Sequence, residues 1–250
     1  MDPGVRSPLI DFFRRGEVAS DVRLLAAQGA FAPRALEQLA LLLILCDDAD
    51  PVVAATAART IDALPAQPVA RFLGRKDVPQ PMRDYFAARG IQPEEVEDAG
   101  DDPIGDEAGT TEEAESADPR VLATLPVVER LKIAMRGSRE QRGQLIRDSN
   151  KMVSIAVLSN PKLTETEVEG YARMANLSED VLRVIATNRA WVKNYNVVSA
   201  LTRNPKTPTA LAMGFLQRLN ERDLKMLAID RNVSEPIRLA ARKFVSKALR

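Results

Sequence analysis

Few residues of this chain have the types and spacing that chemistry requires. Its 250 residues include no histidine and a single cysteine, Cys46. Without histidine there is no Ser-His-Asp or Cys-His arrangement, and no side chain that titrates near neutral pH in an ordinary environment. The lone cysteine excludes an internal disulfide and a thiolate metal site. Because Cys46 ends the apolar run Leu39 to Leu45, we expect it to be a small buried hydrophobic side chain.

Two groups of carboxylates lie close in sequence, and both have a simple structural interpretation. Asp47, Asp48 and Asp50 lack the glycine and the terminal glutamate of a calcium-binding loop, so we expect them to cap helices. Glu165 and Glu169 lie one helical turn apart, where carboxylates near a helix start usually interact with the helix dipole. No glycine-rich phosphate-binding motif is present. We therefore predict a protein that is not an enzyme, with no catalytic residues, no cofactor and no metal site.

Helix start and stop signals recur along the chain, and no segment alternates apolar and polar residues as a half-buried strand does. Thr164 and Glu167 form a capping box, Ser138 and Gln141 form a second one, and Ser178 is another N-cap residue. The other predicted helices run from Ser7 to Gly16, Arg34 to Cys46, Asp50 to Leu64 and Pro81 to Arg89, with further starts at Thr207-Pro208 and Ser234-Glu235. These signals predict an all-α fold.

The second half of the sequence contains an internal repeat. Leu182 to Arg189 aligns with Leu224 to Arg231 at an offset of 42 residues, and Val153 to Pro161 aligns with Val197 to Pro205 at an offset of 44 residues. Helical periods of this size indicate stacked units that bury their apolar faces against one another. The repeat therefore predicts an α-solenoid.

The turns of the repeat resemble those of a known class of protein. Asn160 to Thr164 and Asn204 to Pro208 each begin with Asn-Pro-Lys, and Asp48 to Val53 contains an Asp-Pro turn. They resemble the bacterial leucine-rich repeat variant and HEAT-like α-solenoids, over most of residues 7–90 and 120–249. The resemblance implies an architecture and no chemistry of its own.

HEAT-like DNA glycosylases are an enzyme family with which this sequence must be compared. They combine a basic concave surface with aromatic residues and a catalytic carboxylate. Here the only tryptophan, Trp191, is followed one turn later by Tyr195, and no third aromatic residue or placed aspartate accompanies them. We expect this pair to pack a helix against its neighbour.

The net charge of zero hides three segments of different charge. Residues 1–93 hold 11 basic and 11 acidic residues, residues 94–118 hold 12 acidic and no basic ones, and residues 119–250 hold 24 basic and 12 acidic ones. An acidic segment with so little apolar surface cannot offset its ordering entropy, so we predict a disordered linker. The prediction is two helical-repeat blocks, 1–93 and 119–250, joined by the acidic disordered linker 94–118.

Basic and amide side chains recur at the turns of the repeat and give a candidate binding surface. We call this set the ridge; its members are Arg147, Asn150, Lys151, Asn188, Arg189, Lys193, Arg231 and Asn232. Asparagine often ends helices, and basic residues near a helix C-terminus favour the dipole, so turn chemistry alone explains the same pattern. Reversing the charges separates the two interpretations. It should abolish partner binding and leave stability nearly unchanged if the ridge is a binding surface, whereas it should unfold the chain if the residues are structural.

Two functions fit these patterns. The first is a non-catalytic scaffold that binds protein partners along the repeat surface, with no small-molecule substrate. The alternative is a nucleic-acid-associated protein whose basic block contacts phosphates. The longest apolar run, Leu39 to Cys46, is far too short to cross a bilayer, and no signal peptide is visible, so we expect no membrane association and a cytoplasmic location.

Overall fold

The computed structural model describes residues 2–5, 7–29, 34–94, 100, 104 and 122–248. These residues contain fifteen α-helices and no strand, so the predicted all-α fold class is confirmed. The helices are α1 (Pro8–Arg15), α2 (Ser20–Ala27), α3 (Ala35–Leu45), α4 (Pro51–Ala63), α5 (Ala66–Leu73), α6 (Gln80–Ala87), α7 (Val127–Arg136), α8 (Arg139–Leu145), α9 (Lys151–Ala156), α10 (Glu165–Arg173), α11 (Glu179–Thr187), α12 (Tyr195–Arg203), α13 (Thr209–Phe215), α14 (Glu221–Ile229) and α15 (Glu235–Ala248). None of these helices is long and apolar enough to cross a membrane.

Helix caps explain where many of these helices begin. The Thr164 hydroxyl accepts from the backbone N–H of Glu167, whose carboxylate accepts from the backbone N–H of Thr164, so the predicted capping box is confirmed. Ser7, Asp50 and Ser178 also cap the helices that follow them. Each such cap satisfies a backbone donor that a helix start otherwise leaves without a partner.

The chain divides into two compact units. Unit 1 comprises Met1–Arg142 with Leu158–Pro161, and unit 2 comprises Gly143–Val157 with Lys162–Arg250. In unit 1, α2, α3 and α4 pack against one another, and α1 packs against α3. The core of this unit includes fully buried leucines of α3.

In unit 2, helices pack mainly against neighbours one or two positions along the chain. Contacts join α9 to α11, α10 to α12, α12 to α13, and α14 to α15. Residues of α12 to α15 form one continuous apolar cluster; its fully buried members include Val198, Ala212, Leu216 and Ala241. This packing brings α10, α12 and the turn after α14 to one surface groove, described below.

The described residues of the predicted acidic linker belong to unit 1 and contact other parts of it. The backbone N–H of Glu94 donates to the Ala70 carbonyl, with an N to O distance of 2.9 Å. The Gly100 carbonyl accepts from Arg75 at 3.2 Å, and Ile104 is 93% buried. The other predicted linker residues lie outside the described part of the chain, and the boundaries at 93 and 118 stay predictions.

Gly74 is required for this path of the chain. A Cβ atom at Gly74 would lie 2.0 Å from the carbonyl oxygen of Glu94. Only glycine therefore lets the backbone at Glu94 pass this close to the end of α5.

Candidate functional site

A groove of about 730 Å³ opens on the surface of unit 2. It is formed by the C-terminal end of α10, one face of α12 and the turn that follows α14. The lining residues are Arg173, Ala175, Asn196, Ser199, Ala200, Arg203, Asn204, Pro205, Asp230 and Asn232. Small side chains thus form part of the lining, together with arginine and asparagine side chains.

The two groove arginines are each held by one carboxylate. Arg173 pairs with Glu169, one turn earlier on α10, and Arg203 on α12 pairs with Asp223 on α14. A guanidinium carries five N–H donors. In its ion pair, each groove arginine donates to the carboxylate from one nitrogen. Both side chains remain accessible to solvent, at 65% for Arg173 and 44% for Arg203. The groove is therefore rich in donors that a ligand with carbonyl or carboxylate oxygens can use.

The asparagines of the groove have different roles. Asn204 is 96% buried, and its Nδ2 donates to the carbonyl oxygens of Ala172 at 2.8 Å and Met174 at 3.0 Å. Asn196 is exposed and donates to Glu169 at 3.3 Å. Asn204 therefore has a structural role, whereas the exposed amide of Asn196 is accessible to a ligand.

Asn160, in the equivalent Asn-Pro turn, makes the same kind of bond within unit 1. Its Nδ2 donates to the carbonyl oxygen of Ala134 at 3.1 Å. In both cases the acceptor lies in the last turn of a helix, where carbonyls lack a partner within the helix. The Asn-Pro pairs noted in the sequence are thus held by a long-range hydrogen bond that no local pattern shows.

The turns that carry the ridge residues share one local structure. Asp148, Asn188 and Asp230 each follow a helix, and each accepts at Oδ1 from the backbone N–H two residues later, at 2.7 to 2.9 Å. The repeat alignment of Leu182 to Arg189 with Leu224 to Arg231 places Asn188 and Asp230 in equivalent positions. Two of the three turns thus carry a carboxylate, Asp148 or Asp230, beside the basic residues, which the ridge prediction did not include.

The structure gives two of the three ridge asparagines, Asn150 and Asn188, a local role in a cap or turn. Asn150 caps α9 through bonds from the N–H groups of Met152 and Val153. Asn188 accepts from the N–H groups of Ala190 and Trp191. Their side-chain oxygens are therefore engaged by the backbone, as turn chemistry predicts.

The basic ridge residues all lie at exposed positions of unit 2. Arg147 donates to the sulfur of Met174 at 3.7 Å, and Lys151 forms an ion pair with Asp180 at 3.1 Å. The remaining basic members, Arg189, Lys193 and Arg231, form no ion pair with the described part of the chain. Of the eight ridge residues, Asn232 lines the groove, and the other seven are not among its described lining residues.

The aromatic pair singled out in the sequence lies near the groove. Trp191 belongs to a short 3-10 turn, Trp191–Lys193, and Tyr195 begins α12. The Tyr195 hydroxyl donates to Asp223, the carboxylate that also binds Arg203. Partial burial and this hydrogen bond raise the pKa of Tyr195. Tyr195 thus helps to position Asp223 next to Arg203.

In unit 1, Asp50 caps α4 as predicted, whereas Asp48 accepts within the turn that precedes this helix. Asp50 accepts from the N–H of Val52, and this bond lowers the pKa of Asp50. Asp48 accepts from the N–H of Asp50 and pairs with Arg23. Within the described residues, no cluster of three or more histidine, cysteine or acidic side chains could hold a metal ion.

Cys46 differs from the expectation of full burial. It is half-buried, and its Sγ lies 3.9 Å from the hydroxyl of Tyr85. Burial raises the pKa of the Cys46 thiol. The residue follows the last residue of α3, where the helix packs less completely than at Leu45.

Comparison of the chain with protein-family models, with curated proteins and with solved structures finds no significant match.

Proposed function

We propose that this chain is a non-catalytic α-solenoid scaffold of the leucine-rich repeat variant or HEAT-like type, and that unit 2 binds a protein partner along its groove. The observation that supports this proposal is the groove on unit 2. It presents the N–H donors of Arg173 and Arg203 beside small side chains, across two helices and a turn of successive repeats. Such a surface suits an extended peptide segment, whose carbonyl and carboxylate oxygens accept these donors.

The charges around the groove favour a protein partner over a nucleic acid. Glu169 and Asp223 neutralise the two arginines, and Asp230 adds a further carboxylate to the lining. A polyanion brings several phosphates and is repelled by these carboxylates, whereas the main-chain carbonyl oxygens of an uncharged peptide segment accept from the arginines without that repulsion.

Phosphate binding is the alternative, and the exposed residues Arg189, Lys193 and Arg231 favour it because they lack ion pairs within the described residues. If the chain binds phosphates of a nucleic acid, its affinity should fall steeply as the salt concentration rises. If the chain fails to bind duplex DNA at about 50 mM salt, where such contacts are strong, the alternative is wrong.

Site-specific photo-crosslinking tests the groove directly. A photoreactive amino acid at Ser199, which lines the groove, should crosslink one protein partner in extracts of the source cells. The same amino acid at Arg183, an exposed position of α11 that is not among the lining residues, is the matched control. Equal crosslinking from both positions, or none from Ser199, contradicts the proposal.

A further inference from the structure

Three helices of unit 2 end at the groove, and two of them end on a basic residue. The last residue of α10 is Arg173 and the last residue of α12 is Arg203, and both arginines line the groove. The final carbonyl groups of a helix have no partner within it and carry a partial negative charge, which a nearby cation stabilises. The ends of α10 and α12 therefore each bring their own cation to the groove.

The third helix end carries the opposite charge. Helix α14 ends at Ile229, has no basic residue in its last turn, and is followed by Asp230, which lines the groove. Because a carboxylate here lies at the negative end of the helix dipole, its charge is unfavourable for α14. Arg242 of α15 donates from Nε to the Ala228 carbonyl of α14 at 3.1 Å. No ion pair joins Asp230 to Arg242 or to any other residue that the structure describes.

The turn after α14 does not require a charged residue at position 230. Asp230 accepts at Oδ1 from the backbone N–H of Asn232 at 2.9 Å. Asn188, its counterpart in the repeat alignment, accepts from the backbone N–H of Ala190 at 2.9 Å with an uncharged amide. An asparagine thus makes the same bond without placing a negative charge against the helix dipole. Oδ2 of Asp230 accepts no hydrogen bond from the described part of the chain.

The charge of Asp230 also differs from those of the other charged residues in the lining. Arg173 is paired with Glu169, and Arg203 is paired with Asp223. Among the described charged residues of the lining, Asp230 alone forms no ion pair. A neutral peptide in the groove leaves this charge uncompensated, whereas a peptide with one basic side chain cancels it.

We propose that Asp230 binds a lysine or arginine side chain of the peptide segment that occupies the groove. This inference rests on the proposed function, because it names a residue type that the bound peptide must contain. The ammonium or guanidinium group donates to Oδ2 of Asp230 and is attracted by the negative end of α14, as Arg173 and Arg203 are by the ends of their own helices. The ligand is therefore a segment whose main-chain carbonyls accept from the arginines and whose basic side chain pairs with Asp230.

A displayed library of random linear peptides, selected on the full wild-type chain, tests the inference. Peptides that bind the groove are those that fail to bind Asn196→Trp, which adds a bulky side chain at an exposed position of the lining. We expect these peptides to share a lysine or arginine at one aligned position. Groove-binding peptides without a common basic position overturn the inference and leave the proposed function intact. If Asn196→Trp blocks none of the selected peptides, both are overturned.

One selected peptide then shows whether Asp230 binds its basic side chain. Fluorescence anisotropy measures its affinity for the wild type, for Asp230→Asn and for the control Asp148→Asn. Asp148 makes the same kind of turn bond as Asp230 but is not among the described lining residues. Asp230→Asn keeps the turn bond, as Asn188 does, and should weaken binding about fivefold, whereas Asp148→Asn should leave it unchanged. Equal affinity for all three chains, or an equal loss in both variants, overturns the inference.

A double-mutant cycle distinguishes a direct pair from a general effect of charge. The basic residue of the selected peptide is replaced by glutamine, and the altered peptide is measured on the wild type and on Asp230→Asn. A direct pair predicts that this replacement weakens binding to the wild type about fivefold and leaves binding to Asp230→Asn nearly unchanged. Equal losses on the two chains would show that the basic residue binds elsewhere, which contradicts the inference.

Discussion

Nδ2 of Asn204 lies 2.8 Å from the carbonyl oxygen of Ala172, 32 residues earlier in the chain. This bond joins the Asn-Pro turn after α12 to the end of α10, the two helices that form most of the groove. Because Asn204 is buried and also donates to Met174, it determines how closely the two helix ends approach.

Replacing Asn204 by alanine should destabilise unit 2 strongly. The buried carbonyl oxygen of Ala172 and the partly buried one of Met174 lose their donor, which costs about 2 to 4 kcal/mol of unfolding free energy. Asn196→Ala is the matched control, since Asn196 is exposed on α12, the helix that Asn204 follows, and should cost less than about 0.5 kcal/mol. Urea unfolding of both variants measures the difference. Similar values for the two would show that the Asn204 bond does not hold the helices together.

Alkaline pH should weaken unit 1 through Tyr85. Burial, together with the neighbouring Cys46, raises the pKa of Tyr85 to about 12, above the value of about 10 for an unfolded chain. The folded state therefore binds the proton more tightly, and its advantage is complete below pH of about 10 and is lost as the pH rises towards about 12. Urea unfolding at several pH values should show this decline in the wild type and a smaller one in Tyr85→Phe. If the unfolding free energy falls equally with pH in the wild type and in Tyr85→Phe, Tyr85 does not cause the loss of stability.

Reversing the charge at the three ridge arginines separates partner binding from turn chemistry. Arg147, Arg189 and Arg231 lie at exposed positions, so the triple change to glutamate should leave helicity unchanged and alter stability by less than about 1 kcal/mol. If the ridge binds the partner, the triple variant loses that partner. Retained binding would leave turn chemistry as the explanation of the ridge, and unfolding would show that the arginines are structural.

The acidic segment should be cut by a glutamate-specific protease in a defined order. Glu94 donates its N–H to Ala70 and pairs with Arg71, and its backbone passes close to Gly74. Glu112, Glu113 and Glu115 lie in the predicted linker, after the buried residue Ile104. We therefore expect cleavage at these three residues before cleavage at Glu94, as mass spectrometry of early fragments can show. Initial cleavage at Glu94, or within 139–249, would contradict the predicted boundary.

The sequence predicts local structure well because helix caps are local. The capping box at Thr164 and the turn at Asp50 use partners within three residues, and both were identified. The starts of α2 and α5 were missed, since Ala19 and Pro65 precede them and neither offers a side-chain cap. A helix that begins without a side-chain cap has no characteristic capping residue, so the sequence does not show where it starts.

The groove and the hydrogen bonds between Gln38 and Ile104 could not be predicted for a different reason. Gln38 and Ile104 are 66 residues apart in sequence, and an isolated glutamine in an apolar helix does not indicate its partner. The groove likewise depends on Arg173 and Arg203, which sequence alone presents as ordinary basic residues near helix ends. Their significance comes from the packing of α10 against α12, which only the folded chain shows.

Affinity capture with matched charge reversals tests the central claim most directly. Arg173→Glu with Arg203→Glu alters the groove, whereas Arg183→Glu with Lys225→Glu reverses two exposed charges that are also ion-paired but do not belong to the groove lining. Nuclease-treated extracts of the source cells, passed over the wild-type chain and both variants, are compared by quantitative mass spectrometry. The groove variant should lose at least one protein that the wild type and the control variant retain in equal amounts, by tenfold or more. The same set of proteins on all three chains would contradict the assignment of the groove as the partner-binding surface.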